Sequence, residues 1–110
     1  MDKAKLDRLR AAGWRSGDAA DFLELSEEEA AFVELKLALG DYLRRLRREN
    51  SWTQSEVADR LGSSQSRVAK MEAGDRSVSL DLMMRSLLSI GATATEIARL
   101  IKRAETRRAA

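Results

Sequence analysis

The sequence predicts an all-α fold, and two features of the chain carry that prediction. Proline is absent and only six glycines occur in 110 residues, so helices can run for long stretches without interruption. Apolar residues recur three and four positions apart, which is the spacing that aligns them along one face of a helix. No apolar run approaches the roughly 20 residues that a membrane-spanning helix needs. We therefore expect one helical domain with modest extensions.

The composition argues against several classes of function. The chain has neither cysteine nor histidine, which removes disulfides, thiol nucleophiles, imidazole bases and most zinc or haem sites. A short helical chain also has little volume for a catalytic pocket. We expect no enzymatic activity and no cofactor. The charged start, MDKAKLDRLRAAGW, lacks the apolar stretch of a secretory signal, so we expect a cytoplasmic protein.

Charge is distributed unevenly, although the formal net charge is only +2. The acidic block consists of Asp18, Asp21, Glu24, Glu27, Glu28, Glu29 and Glu34. Positive side chains form two groups, which are Arg44, Arg45, Arg47 and Arg48, and then Arg99, Lys102, Arg103, Arg107 and Arg108. The acidic block would repel a phosphate backbone, so we infer different roles for different faces. The first basic group fits a solvated helix face and a phosphate contact equally well.

Capping signals predict the first helices. A short charged helix over residues 2–10 carries Leu6 and Leu9 and is broken at Gly13 and Gly17. Ser26 followed by Glu29 is a capping box that opens a long helix ending near Glu49. Its apolar stripe is predicted to contain Phe32, Leu35, Leu39, Tyr42 or Leu43, and Leu46. Gly40 either weakens this helix by about 1 kcal/mol relative to alanine or lets a neighbour pack closely, and both interpretations stay open.

Three further helices and a final one follow from the same signals. The predicted N-terminal caps are Thr53 with Glu56, Ser63 or Ser64, Ser79, and Thr93 or Thr95 ahead of Glu96. Glycines at positions 62, 74 and 91 are predicted to end the three shorter helices. The last helix, with Ile97, Leu100 and Ile101, is expected to decay at Lys102. The predicted organisation is therefore a partly ordered arm over 1–25, a domain over 26–101 and a basic tail over 102–110.

Residues 54–71, QSEVADRLGSSQSRVAKM, have the spacing of two short helices crossed at a steep angle. Ala58 is small where the helices approach, and Gly62 occupies a turn that calls for a positive φ. Core positions on this pair are Val57, Leu61, Val68 and Met71. The outer side of the second helix is left with Gln65, Ser66, Arg67 and Lys70. Such side chains, without carboxylates beside them, suit the DNA major groove, while the plainer interpretation is an ordinary polar helix face.

The stretch from about Leu43 through Gly91 resembles the Cro and phage-repressor (Xre-type) helix-turn-helix family, most specifically in TQSEVADRLG combined with SQSRVAKMEAG. The resemblance implies a five-helix, lambda-repressor-like domain that binds double-stranded DNA. Matching positions imply that Gln54 braces a phosphate and the recognition side chain. They also imply base reading by Gln65, Ser66 and Lys70, a base or backbone contact by Arg67, and phosphate contacts by Ser64 and Arg76. Trp52, Met71, Met83 and Met84 are interpreted as core residues.

The segment before the motif, DFLELSEEEAAFVELKLAL, is similar to the segment that precedes the motif in small Xre-type, HigA-like antitoxins. This resemblance implies a homodimeric repressor on a palindromic operator and a toxin partner of the HigB or RelE type. Phe22, Leu23 and Leu25 would be apolar anchors for that partner. We expect the dimer surface around Ile97, Leu100 and Ile101. A stand-alone phage-type or controller repressor, and a protein-binding module without DNA affinity, stay open as alternatives.

Overall fold

The computed structural model describes residues 3–4, 7–8 and 27–109, and within these residues every regular element is an α-helix. Lys3, Ala4, Asp7 and Arg8 are helical. The remaining described helices are α1 (Glu27–Glu49), α2 (Gln54–Leu61), α3 (Gln65–Ala73), α4 (Leu80–Ser89) and α5 (Ala94–Ala109). The predicted all-α class is confirmed. In this part of the chain no helix has the length and apolar character needed to cross a membrane.

The 23-residue helix α1 is the element against which the other helices pack. α3 lies against one side of α1, α5 lies along it, and α2 packs mainly on α3. The core between them is formed by Leu39, Tyr42, Leu43, Val57, Ala58, Val68, Met71, Val78, Met83, Leu87, Ala92, Ile97 and Leu100. Trp52 and Met84 pack against its edge, partly buried. The prediction that Trp52, Met71, Met83 and Met84 are core residues is confirmed.

The predicted caps set most of the helix boundaries. At the start of α2, Thr53 Oγ1 accepts from the Glu56 N–H, and Glu56 Oε1 accepts from the Thr53 N–H, both at 3.1 Å. Ser64 and Ser79 cap α3 and α4 through their hydroxyl groups. Thr93, and not Thr95, pairs with Glu96 ahead of α5. The Ser26 cap and the predictions for residues 9–25 lie outside the described residues.

Gly40 lies where the backbones of α1 and α3 approach each other closely. A Cβ atom on this residue would lie 2.6 Å from the Met71 carbonyl oxygen and 2.8 Å from the Glu72 carbonyl oxygen. Both contacts are with backbone, so a methyl group would force the two helices apart. Of the two interpretations of Gly40, close packing is therefore the correct one. Gly62 has φ 64°, the left-handed conformation predicted for the turn between α2 and α3.

The predicted stripe of α1 is partly wrong. Phe32 is 45% exposed, whereas Val33 and Leu37 are buried. α1 has neighbours on more than one side, so its buried positions do not follow one stripe. Leu88 of α4 is likewise 50% exposed. The spacing of apolar residues shows which positions can be buried, but it does not reveal which of them another helix packs against.

The predicted dimer surface is also wrong. Ile97 and Leu100 are buried in the core of their own chain, and Ile101 is partly buried against it. The apolar face of α5 is covered by α1, which the period of α5 alone does not indicate. α5 also continues to Ala109 instead of decaying at Lys102. Residues 102–109 are thus helical, and most of their described side chains are exposed.

Candidate nucleic-acid interface

The outer face of α3 carries a row of exposed polar side chains. Gln65, Ser66, Arg67 and Lys70 are exposed, whereas Val68, Met71 and Glu72 on the opposite face are buried. The first turn of α3 contains no acidic residue. The backbone N–H groups at the start of a helix attract anions, and this attraction is strongest where no carboxylate competes. The helix therefore offers donors and positive charge along one open edge.

A hollow of about 520 Å³ runs beside this edge. It is lined by Ser64, Ser66, Arg67, Lys70, Ser77, Val78, Ser79 and Leu82. Four of the seven residues predicted for the site are thus brought together here. Sequence analysis missed Ser77, which lies in an irregular loop where helical spacing gives no signal. It identified Ser79 only as a helix cap, because its position in the hollow depends on how α4 packs beside α3.

Gln54 and Gln65 meet at the entrance to α3. The Gln65 Nε2 atom donates to Gln54 Oε1 at 2.5 Å, and Gln54 Nε2 donates to Glu72 Oε1 at 3.2 Å. Gln65 is exposed, yet its amide is held by this contact with α2. Its second Nε2 hydrogen and its Oε1 lone pairs remain available to a partner. The pair therefore presents one oriented amide at the N-terminal end of α3.

Glu72 anchors this arrangement from inside the protein. Its side chain is 1% exposed and accepts from Arg47 Nε at 2.5 Å and Arg47 Nη2 at 3.0 Å. Arg44 Nε lies 3.5 Å from Glu72 Oε1. Arg47 also donates to the Trp52 carbonyl oxygen at 3.1 Å. The Glu72 network, comprising Arg44, Arg47, Gln54, Gln65 and Glu72, therefore connects α1, α2 and α3.

Arg47 belongs to the first basic group, for which a solvated face and a phosphate contact were both open. Its side chain is only 15% exposed and points inward to Glu72, so neither interpretation applies to it. Sequence analysis missed both partners. The available signal was a lone carboxylate at position 72, next to the buried Met71 and away from the exposed face of α3. A buried charge needs a partner, and Arg47 supplies it from a distant part of the chain.

Opposing influences act on the Glu72 carboxyl. Burial by itself raises its pKa, but hydrogen bonds from Arg47 and Gln54, with the charges of Arg47 and Arg44, together hold the pKa below 4.5. The hydrogen bond to Glu72 raises the pKa of Arg47 against the lowering effect of burial. Both groups are consequently charged at neutral pH.

Arg76, the remaining predicted site residue, lies in the loop between α3 and α4, directly before Ser77 of the hollow. Its side chain is exposed, and its carbonyl oxygen accepts from Lys36 Nζ at 3.3 Å. Lys36 is buried in α1, and this burial lowers its pKa, although the charge of Asp75 partly opposes the shift. Sequence analysis did not identify Lys36, which fixes the loop from the side of the core.

Comparison with known proteins matches residues 38–106 to a family model described as a helix-turn-helix domain. The match covers more than half of the 110 residues and runs from the second half of α1 through most of α5. The comparisons with curated proteins and with solved structures gave no match. All seven residues predicted for the site lie within the matched range.

We predict that Glu72→Gln lowers the free energy of unfolding at pH 7 by about 3 kcal/mol, because it leaves the partly buried Arg47 without its counter-charge. The folded-state pKa of Glu72 is lowered, so its contribution is present above the unfolded value and lost as pH falls through the folded one. Urea unfolding between pH 7 and pH 3 measures both effects. The difference in unfolding free energy between the parent and Glu72→Gln should become smaller below pH 4.5. A gap that is constant with pH would contradict the ionic role.

Proposed function

Since the chain belongs to the helix-turn-helix domain family, we propose that it regulates transcription by binding double-stranded DNA at specific sequences. α3 enters the major groove with Gln65, Ser66, Arg67 and Lys70 toward the base edges. Ser64 and Arg76 contact phosphates at the rim of the groove. The role is one of binding and not of catalysis, and it uses no cofactor.

The observation that carries this proposal is the pair formed by Gln54 and Gln65. An amide recognises adenine by accepting from N6 and donating to N7, which requires one oxygen and one N–H of the same side chain. Gln65 retains both after donating its other hydrogen to Gln54. A free glutamine loses on the order of 1.5–2 kcal/mol of rotamer freedom on binding, and an oriented one loses less. The Glu72 network therefore prepares α3 for reading a base.

We propose further that two copies bind a palindromic operator and repress by occupying it. A nine-residue helix is about 13 Å long and reaches only part of one groove. A pair of such helices related by a two-fold axis matches two half-sites about one helical turn of DNA apart. Reading two half-sites increases the sequence specificity. Ile97 and Leu100 are used within each chain, so the contact between copies would lie elsewhere.

We predict that Gln65→Ala lowers affinity for the preferred duplex about tenfold, since one bidentate base contact is worth about 1–3 kcal/mol. Arg76→Gln should instead weaken all duplexes alike and reduce the salt slope by about 1. Ser89→Ala, at the exposed end of α4, is the control. The measurement is selection from random duplexes followed by fluorescence anisotropy over a salt series. Equal binding of all duplexes by the parent and Gln65→Ala would contradict base reading. Failure of the parent to bind any duplex would favour a protein-binding module.

As a second candidate, we propose that the chain is the HigA-like antitoxin of a toxin of the HigB or RelE type. Phe32 is 45% exposed on α1, one turn after Glu27, Glu28 and Glu29. An apolar anchor beside acidic residues suits a basic protein partner, because charge steers the encounter and the apolar group holds it. A stand-alone repressor would not require this arrangement.

We predict that Phe32→Ser abolishes co-purification with the product of a toxin-sized neighbouring gene, while DNA binding persists. Leu88→Ser is the matched control, since Leu88 is the other large apolar side chain that is exposed among the described residues. The measurement is co-expression followed by affinity capture of the tagged chain. Capture that survives Phe32→Ser, or a parent that captures no such product, would contradict the antitoxin role.

A further inference from the structure

α5 carries a second positively charged surface that the proposed recognition by α3 does not use. We call Arg99, Lys102, Arg103 and Arg107 the α5 basic face. All four side chains are exposed, and together with Thr106 they line one open hollow. Arg99 and Arg103 also line an adjoining hollow, which contains Arg45 of α1. Arg45 of α1 therefore lies next to the α5 basic face, although it is itself paired with Glu49.

The cations of this face are not used for internal pairing. Within residues 27–107 none of the four forms an ion pair. The carboxylates in the adjoining hollow have other partners, since Glu96 accepts from Tyr42 Oη at 3.0 Å and Glu49 lies 3.9 Å from Arg45. Arg99 acts on the Glu96 carboxylate through its charge, without forming an ion pair. Four cations on one helix still repel one another, and a polyanion relieves this repulsion.

The α5 basic face lies on a different side of the domain from α3. On α1, Gly40 touches α3, whereas Tyr42 bonds to Glu96 at the start of α5. Two residues along a helix correspond to a rotation of about 200°, so α3 and α5 flank α1 from opposite sides. A straight duplex seated on α3 therefore does not extend to the α5 basic face.

The chemistry of the face favours nucleic acid over protein. Arg99, Arg103 and Arg107 follow one another at intervals of four residues, about 6 Å along the helix axis. Guanidinium groups bind phosphates with two parallel hydrogen bonds. The hollow is lined by four cations and Thr106, with no aromatic or large aliphatic residue, which differs from the aromatic-rich and charge-depleted centre of a typical protein interface. We propose that the α5 basic face is a second, sequence-independent contact for the phosphate backbone of nucleic acid, and this goes beyond base reading by α3.

The test is the salt dependence of binding to a duplex of scrambled sequence, measured by fluorescence anisotropy on the full chain. Each phosphate contact contributes about 0.9 to the slope of log affinity against log salt. Arg103→Gln should reduce the slope by about 1. The double variant, which combines Arg99→Gln with Arg103→Gln, should reduce it by about 2. Arg85→Gln removes the same charge from an exposed residue already paired with Asp81 at 3.1 Å and should leave the slope unchanged. Circular dichroism verifies that every variant is folded.

The outcomes separate this proposal from the proposed function. In the double variant the affinity for the scrambled duplex should fall more than the affinity for the selected duplex, because α3 is untouched and a duplex seated on it does not reach the α5 basic face. A slope indistinguishable from that of Arg85→Gln overturns the α5 basic face, even if Gln65→Ala still alters preference. Binding of poly-glutamate with an unchanged DNA slope also overturns it, in favour of an acidic protein partner. A reduced slope in a chain without any sequence preference supports the face and contradicts reading by α3.

Discussion

The arrangement of the domain depends on the hydrogen bonds and the ion pair that the buried Glu72 carboxylate forms. It lies on the inner face of α3 and takes hydrogen bonds from Arg47 of α1 and Gln54 of α2. Burying a single charge is costly, but a carboxylate that accepts from several donors in good geometry offsets much of that cost. Rotation of α3 about its axis would remove these donors at once. Glu72 therefore fixes the orientation of α3 as well as its position.

The orientation of α3 determines which side chains are available to a partner. Gly40 lets the α3 backbone approach α1, and Lys36 holds the following loop through the Arg76 carbonyl oxygen. With the inner face of α3 fixed in this way, its outer face presents Gln65 and the residues that line the hollow beside α3. Gln54 links the buried Glu72 carboxylate to the exposed Gln65 amide through one hydrogen bond to each. The packing of α3 and the surface proposed for recognition thus share one hydrogen-bonded network.

Features that depend on neighbouring residues in the chain could be predicted from the sequence. The capping box at Thr53 and Glu56, the φ of Gly62 and the polar face of α3 all follow from local chemistry. Features that depend on distant partners were not predicted. The covering of Ile97 by α1 and the pairing of Glu72 with Arg47 join segments about 25 residues or more apart. Periodicity shows that a face is apolar or that a charge is misplaced, but not what meets it.

We propose that the exposed end of α3, held by Gln54 and Glu72, is the surface that enters DNA. Nuclear magnetic resonance titration of the labelled chain with its selected duplex tests this most directly. We expect the largest chemical-shift changes in the side-chain amides of Gln54 and Gln65 and in the backbone amides of residues 64–70 and 76–79. Large shifts confined to α4 and α5, with both glutamine amides unchanged, would contradict it.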